Sequence, residues 1–357
     1  MKITVIIILS FLISFTGALA QENSPFSVSG YAEMYYIFDF NKPVNNTRPE
    51  FIYSHNRHNE VNINLGLIKG SYITNTTRAN LALMTGTYAN ANLAAEPGVL
   101  KNVYEANAGV KISSKKNLWI DAGIFSSHIG FESAIGKDCW TMTRSLVADN
   151  SPYYEAGAKI SYTTDNGKWF LSGLILNGWQ RIQRVDGNSL PSFGTQVKFK
   201  PSSSITLNSS TFIGTDKPDS ARQMRYFHNF YSIVQLSPKL GATVGFDYGI
   251  EQKSSEASSY NPWYSPVLIL KYSATDKIAL VVRGEYYHDK SGVIIATGTP
   301  NGFKTTGVSF NIDYSITPNM LWRSEFRSLA SEDNIFTKGD SLTKNNTFIG
   351  TSLAVSF

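Results

Sequence analysis

From Val28 onward, apolar and polar residues change places at every second position. Val28, Gly30, Ala32, Met34, Tyr36 and Phe38 alternate with Ser29, Tyr31, Glu33 and Tyr35, and Val61, Ile63, Leu65 and Leu67 alternate with Asn62, Asn64 and Gly66. Leu240 to Ile250 alternate with Gly241 to Glu251, so Asp247 and Glu251 both oppose the apolar stripe. The same holds where Ile278, Leu280, Val282 and Tyr286 oppose Arg283, Glu285 and Tyr287, and where Met320, Trp322 and Phe326 oppose Arg323, Glu325 and Arg327. A period of two means strands with one greasy and one wet face. The pattern places strands at 27–38, 60–72, 78–88, 103–113, 117–126, 153–163, 168–177 and 193–200. It continues with 204–214, 225–236, 240–251, 263–273, 277–288, 303–314, 319–330 and 346–357.

About sixteen strands result, with 14 or 18 as alternatives, an even number suited to an all-β transmembrane up-and-down antiparallel barrel. Short connections such as "SSKK", "TDNG" and "ATD" alternate with long ones such as 39–59, 127–152 and 289–302. Strands that run up and down between two ends give that alternation, whereas a Greek-key sandwich has no reason to. Tyr162, Trp169, Tyr272, Tyr314, Trp322 and Phe357 group near the short turns. Phe38, Tyr104, Tyr154, Tyr226, Tyr248, Tyr264 and Tyr286 group near the long loops. Two such bands suit the two lipid–water interfaces. The last strand, "TFIGTSLAVSF", is expected to pair with the first, because unpaired backbone in hydrocarbon costs several kcal/mol per group.

Composition adds little but agrees. The 357 residues are 13% aromatic and only 17% charged, with 27 glycines, a bias toward strands and tight turns. The net charge of +5 is spread without a basic block, so nucleic acid is set aside as a partner. Cys139 is the single cysteine, which excludes an internal disulfide. Met1–Ala20 carries one Lys, an apolar run from Ile3 to Phe15 and Ala18-Leu19-Ala20, a signal peptide removed after residue 20. Residues 21–357 then form one domain, and since Gln21 is not cysteine a lipid anchor is not expected.

The stretches "SGYAEMYYIFDFNKP" (29–43), "FIYSHNRHNEVNINLGLIKG" (51–70), "AGIFSSHIGFES" (122–133), "NSPYYEAGAKISY" (150–162) and "RYFHNFYSIVQLSP" (225–238) resemble the OmpL-like β-barrel porins of Gram-negative outer membranes. The resemblance implies an outer-membrane passive channel for small hydrophilic solutes and ions, with neither cofactor nor catalytic residues. It also implies that the strand ending at Phe357 is read by the barrel-assembly machinery. A homo-oligomer is compatible with this class, yet no segment marks an interface.

Three clusters carry candidate chemistry. The loop at 127–152 holds Glu132, Lys137, Asp138, Arg144 and Asp149. If it folds inward, it faces Lys271, Arg283, Arg323 and Arg327, with Glu285 and Glu325 beside them, as a charged constriction. His55, His58 and Glu60 have metal-ligand types, but no fourth ligand is spaced nearby, and hydrogen bonding within the first long loop is the competing account. Ser126, Ser127, His128 and Ser133 are a candidate hydrolase site without a nucleophile-elbow pattern. The alternatives to a pore are thus a barrel-borne hydrolase and a secreted soluble all-β binding protein.

Overall fold

The computed structural model describes residues 24–357, so the reading of a signal peptide lies outside the described residues. The chain forms strands β1 (Phe26–Asp39), β2 (Val61–Ile73), β3 (Thr77–Thr85), β4 (Val103–Lys111), β5 (Asn117–Ser126), β6 (Tyr154–Thr163), β7 (Trp169–Leu176), β8 (Ser192–Ser202) and β9 (Ile205–Gly214). It continues with β10 (Arg225–Gln235), β11 (Leu240–Gln252), β12 (Tyr260–Ser273), β13 (Ile278–Asp289), β14 (Phe303–Thr317), β15 (Met320–Ser331), β16 (Phe336–Lys338), β17 (Ser341–Thr343) and β18 (Asn345–Ser356). Each barrel strand pairs antiparallel with its sequence neighbours, and β18 closes on β1, giving a sixteen-strand cylinder. The β16–β17 hairpin stands apart in the last long loop.

Alternation decides what faces lipid. Val244, Leu268, Val308, Phe310, Phe326 and Ile349 are exposed on the outside, while Asp247, Arg283, Glu285, Arg323 and Glu325 point inward and are buried. Trp169, Tyr272, Tyr314 and Trp322 are exposed near the short turns, and Tyr226 and Tyr248 near the long loops. At the seam, Phe357 N–H donates to Gly30 O and Gly30 N–H returns the bond. The exposed Phe357 ring rests directly over Gly30, where a side chain would have to push it aside.

Four expectations need correction. Tyr154 is buried, with its hydroxyl donating to Glu96, and Tyr104 packs on the same apolar cluster, so neither belongs to the interfacial band. The strand expected through 88 stops at Thr85. Gly86 takes a φ of 119° and the Ala-rich segment Thr87–Asn92 turns helical, burying Tyr88 and Ala89. The β16–β17 hairpin was not foreseen; its Phe336 is fully buried against Phe51 and Phe303. On β2, the register slips where Glu33 faces Leu65 and Met34 faces Ile63, leaving Asn64 as an extra residue. A bulge exchanges the two faces. Leu65 therefore lies inside with the core, and Lys69 with it.

Candidate functional site

The segment 127–153 turns into the cylinder as soon as β5 ends. Ser127 N–H donates to Tyr153 O at its base, and His128 fixes its first turn. Nδ1 of His128 lies 2.9 Å from Glu155 Oε2, and Nε2 lies 2.8 Å from the Thr211 carbonyl. A carbonyl only accepts, so Nε2 carries a proton. Burial alone would lower the His128 pKa, but the Glu155 carboxylate outweighs it and the net shift is upward. Gln196 and Ser210 both donate to the His128 carbonyl, tying the loop to β8 and β9.

Farther along, β13, β14 and β15 present a brace of charged and amide side chains to the loop backbone. Arg283 donates to Thr141 Oγ1, to Thr143 O and to Glu325 Oε1, at 2.9, 2.7 and 2.8 Å. Arg327 donates to Glu285 at 2.7 Å and to the Arg144 carbonyl at 3.0 Å. Arg323 pairs with Asp313 at 2.7 Å and reaches the carbonyls of Gly136, Cys139 and Thr141. In the other direction, loop N–H groups of Met142, Thr143 and Leu146 donate to Asn311, Glu325 and Glu285. Arg144 turns back on its own loop, donating to the carbonyls of Ser133, Ala134 and Met142, and Glu132 accepts from Ser145.

This corrects one part of the expected constriction. The loop does meet Arg283, Arg323 and Arg327, but these residues, with Glu285, Glu325, Glu132, Arg144 and Asp149, are at most 9% exposed and do not form a water-facing ring. The loop's backbone needs partners once it leaves the surface, and the wall's side chains supply them. Burial pushes the Asp149 carboxyl up to about 7 and the Cys139 thiol up to about 11. Lys137 and Asp138 stay exposed and line an opening of about 340 Å³ with Lys271, which lies over the Trp140 ring.

A second set of water-accessible charges is on the opposite wall, and sequence reasoning passed over it. Lys69 pairs with Glu105 at 2.5 Å, and Arg78 grips Asp121 with two bonds while stacking on Trp119. Lys159 lies over the Phe125 ring and Asn80 donates to Asn107. Inward parity would have flagged Arg78, Glu105, Asp121 and Lys159; Lys69 was hidden by the bulge.

The other two clusters separate. His55 faces Glu33 at 3.1 Å, His58 Nδ1 accepts from the Asp39 N–H, and Glu60 takes Arg57, so the three side chains serve three partners. Both ring nitrogens of His128 are engaged, while Ser127 Oγ accepts from Ile129 N–H and Ser133 Oγ from Ile135 N–H. The His128 ring thus has a carboxylate partner but no serine bonded to it among the described residues.

Residues 25–357 match the family described as "Putative beta-barrel porin-2, OmpL-like". No curated protein matches the chain in sequence. In fold it is similar to an anion-selective porin from Comamonas acidovorans, at a TM-score of 0.60 and 9% identity over 93% of this chain and 99% of that one. The outer membrane channel DcaP of Acinetobacter baumannii gives 0.58 and 9% over 93% and 97%. OmpF of Salmonella typhi, in a complex with daunomycin, gives 0.60 and 10% over 93% and 97%. With the match running through every strand of a closed sixteen-strand cylinder, this chain belongs to the OmpL-like β-barrel porins, diffusion channels of the outer membrane.

Proposed function

We propose that small hydrophilic solutes and ions cross this porin through the part of the lumen between the inward loop and strands β2 to β7. The carrying observation is the asymmetry of the two walls. Glu132, Arg144 and Asp149 of the loop are buried and only Lys137 and Asp138 at its edge stay exposed, whereas Lys69, Arg78, Lys111 and Lys159, with Lys198 on the adjoining β8, keep solvent access across from them. Glu105 on β4 and Asp121 on β5 offset Lys69 and Arg78, and Glu155, on β6 with Lys159, is taken by His128. The loop acts as the constriction by its bulk, and a low-dielectric rim strengthens the field of the remaining basic side chains. The reading is therefore a weakly anion-preferring pore without a chemical step. The exposed Phe357 ring at the closing strand supports its proposed role as the feature read during barrel assembly.

The test is planar-bilayer recording of the purified protein. Stepwise conductance in KCl, with a reversal potential displaced toward that of chloride in a salt gradient, is the expected result. Absence of steps, or displacement toward potassium, overturns the reading.

A further inference from the structure

Above the inward loop, on the side of the long connections, lie two chambers. One of about 910 Å³ opens between the loops 40–60 and 290–302 and the β16–β17 hairpin. Another of about 310 Å³ lies between the loops 86–102 and 177–191, and both are lined by Tyr53, Asn150 and Ile294. Arg48 lines the first and Asp149 the second.

Both groups are buried and unsatisfied. Arg48 is 1% exposed with its guanidinium 3.9 Å over the Phe348 ring, yet Nε and Nη2 have no hydrogen-bond partner among the described residues. Its nearest carboxylate, Asp39, is 3.8 Å away and already taken by the Asn41 N–H and the Asn346 amide. One bond of 3.4 Å to the His55 carbonyl is left for five donors. Asp149 is 3% exposed, and neither carboxylate oxygen has a partner among the described residues. Arg144 and Arg327 lie nearby but spend their donors on carbonyls and on Glu285. Ser54 Oγ is close enough to Asp149 to offset part of its burial, but it meets no partner at full hydrogen-bond geometry among the described residues. Buried charges left in this condition are costly, and a ligand that satisfies both removes both costs.

We propose that this vestibule captures small amino-carboxylic acids, the carboxylate received by Arg48 in the larger chamber and the ammonium by Asp149 in the smaller. The proposal rests on the diffusion-channel reading and names the solute class concentrated at its mouth. An acid alone leaves Asp149 bare, an amine alone leaves Arg48 bare, and a sugar answers neither charge. The two poles sit in separate chambers, so the length of the ligand matters as well as its ends.

Calorimetric titration of the detergent-folded full chain tests this, with glycine, β-alanine, 4-aminobutyrate and 6-aminohexanoate against butyrate, butylamine and glucose. At least one amino acid is expected to bind ten-fold more tightly than either singly charged analogue. Arg48→Gln is expected to reduce that ligand to the affinity of butylamine, and Asp149→Asn to that of butyrate, with folding checked by heat-modifiable gel mobility. Equal affinity across the series in the wild-type chain overturns the proposal whether or not either variant folds, and so does wild-type affinity in a folded variant. Salt conductance in bilayers, measured on the same preparation, separates the two readings. A conducting protein without amino-acid discrimination loses only the capture site, and a silent one loses the channel.

Discussion

The walls made by β13–β15 and by β2–β6 carry the same period-two pattern and a similar density of inward charge, but their side chains do different work. On β13–β15, Arg283, Arg323 and Arg327 are sequestered among Glu285, Asp313, Glu325 and loop carbonyls. On β2–β6, Lys69 and Arg78 form half-buried pairs and Lys159 pairs with no carboxylate among the described residues. An inward charge becomes an adhesive where backbone arrives to be satisfied, and it remains an electrostatic element where nothing arrives. The difference lies in what covers the wall.

That contrast breaks most sharply at Arg327. Arg327→Ala leaves Glu285 buried with one partner fewer and frees the Arg144 carbonyl, a loss of about 3–5 kcal/mol for one member of a buried pair. A lower urea midpoint for unfolding in detergent, together with larger and noisier single-channel steps from a loosened loop, is expected. Unchanged steps would mean that the loop is held without the brace. On the opposite wall, Lys159→Gln, which removes the cation without adding a carboxylate beside Asp121 and Glu155, is expected to change the unfolding free energy by less than about 1 kcal/mol, while shifting the reversal potential toward potassium. A shift of the midpoint with no change of selectivity would place Lys159 among the adhesive residues. The smallest effect is chemical. With its thiol pushed up to about 11 by burial, Cys139 holds almost no thiolate at pH 7.5 and accepts Ser133 N–H at 3.2 Å. Maleimide labelling followed by mass spectrometry should find it unmodified in the wild-type chain and slowly modified in Arg323→Ala, which loses the hold on the Cys139 carbonyl.

Much of the cylinder was legible because alternation is local. The strands from Val61 to Ile73, from Leu240 to Gln252 and from Ile278 to Asp289 fall within a few residues of where side-chain parity puts them. Parity tells inside from outside, and it tells nothing of wet from dry. Whether Arg283 meets water depends on a loop some 140 positions earlier, and no spacing within β13 encodes that meeting. The pairing of His128 with Glu155 was likewise unreadable, since it needs the turn-back of the loop between them. Two misses had local signals. Ala89, Ala91, Ala94 and Ala95 mark a helix former where a strand was extended, and the run Asn62, Asn64 followed by Gly66 left room for the bulge that brought Lys69 inside.

The seam has a temporal consequence. Asn346 holds both carboxylate oxygens of Asp39 across 307 positions, and β1 obtains its second neighbour only from β18. Every other strand junction can form between neighbours in the chain, but this one must wait for both ends to be present. Such a distant contact is the slowest kind to make. Until it forms, two ribbons of free amides and carbonyls lie open, so the interval before closure is when this protein most needs an escort.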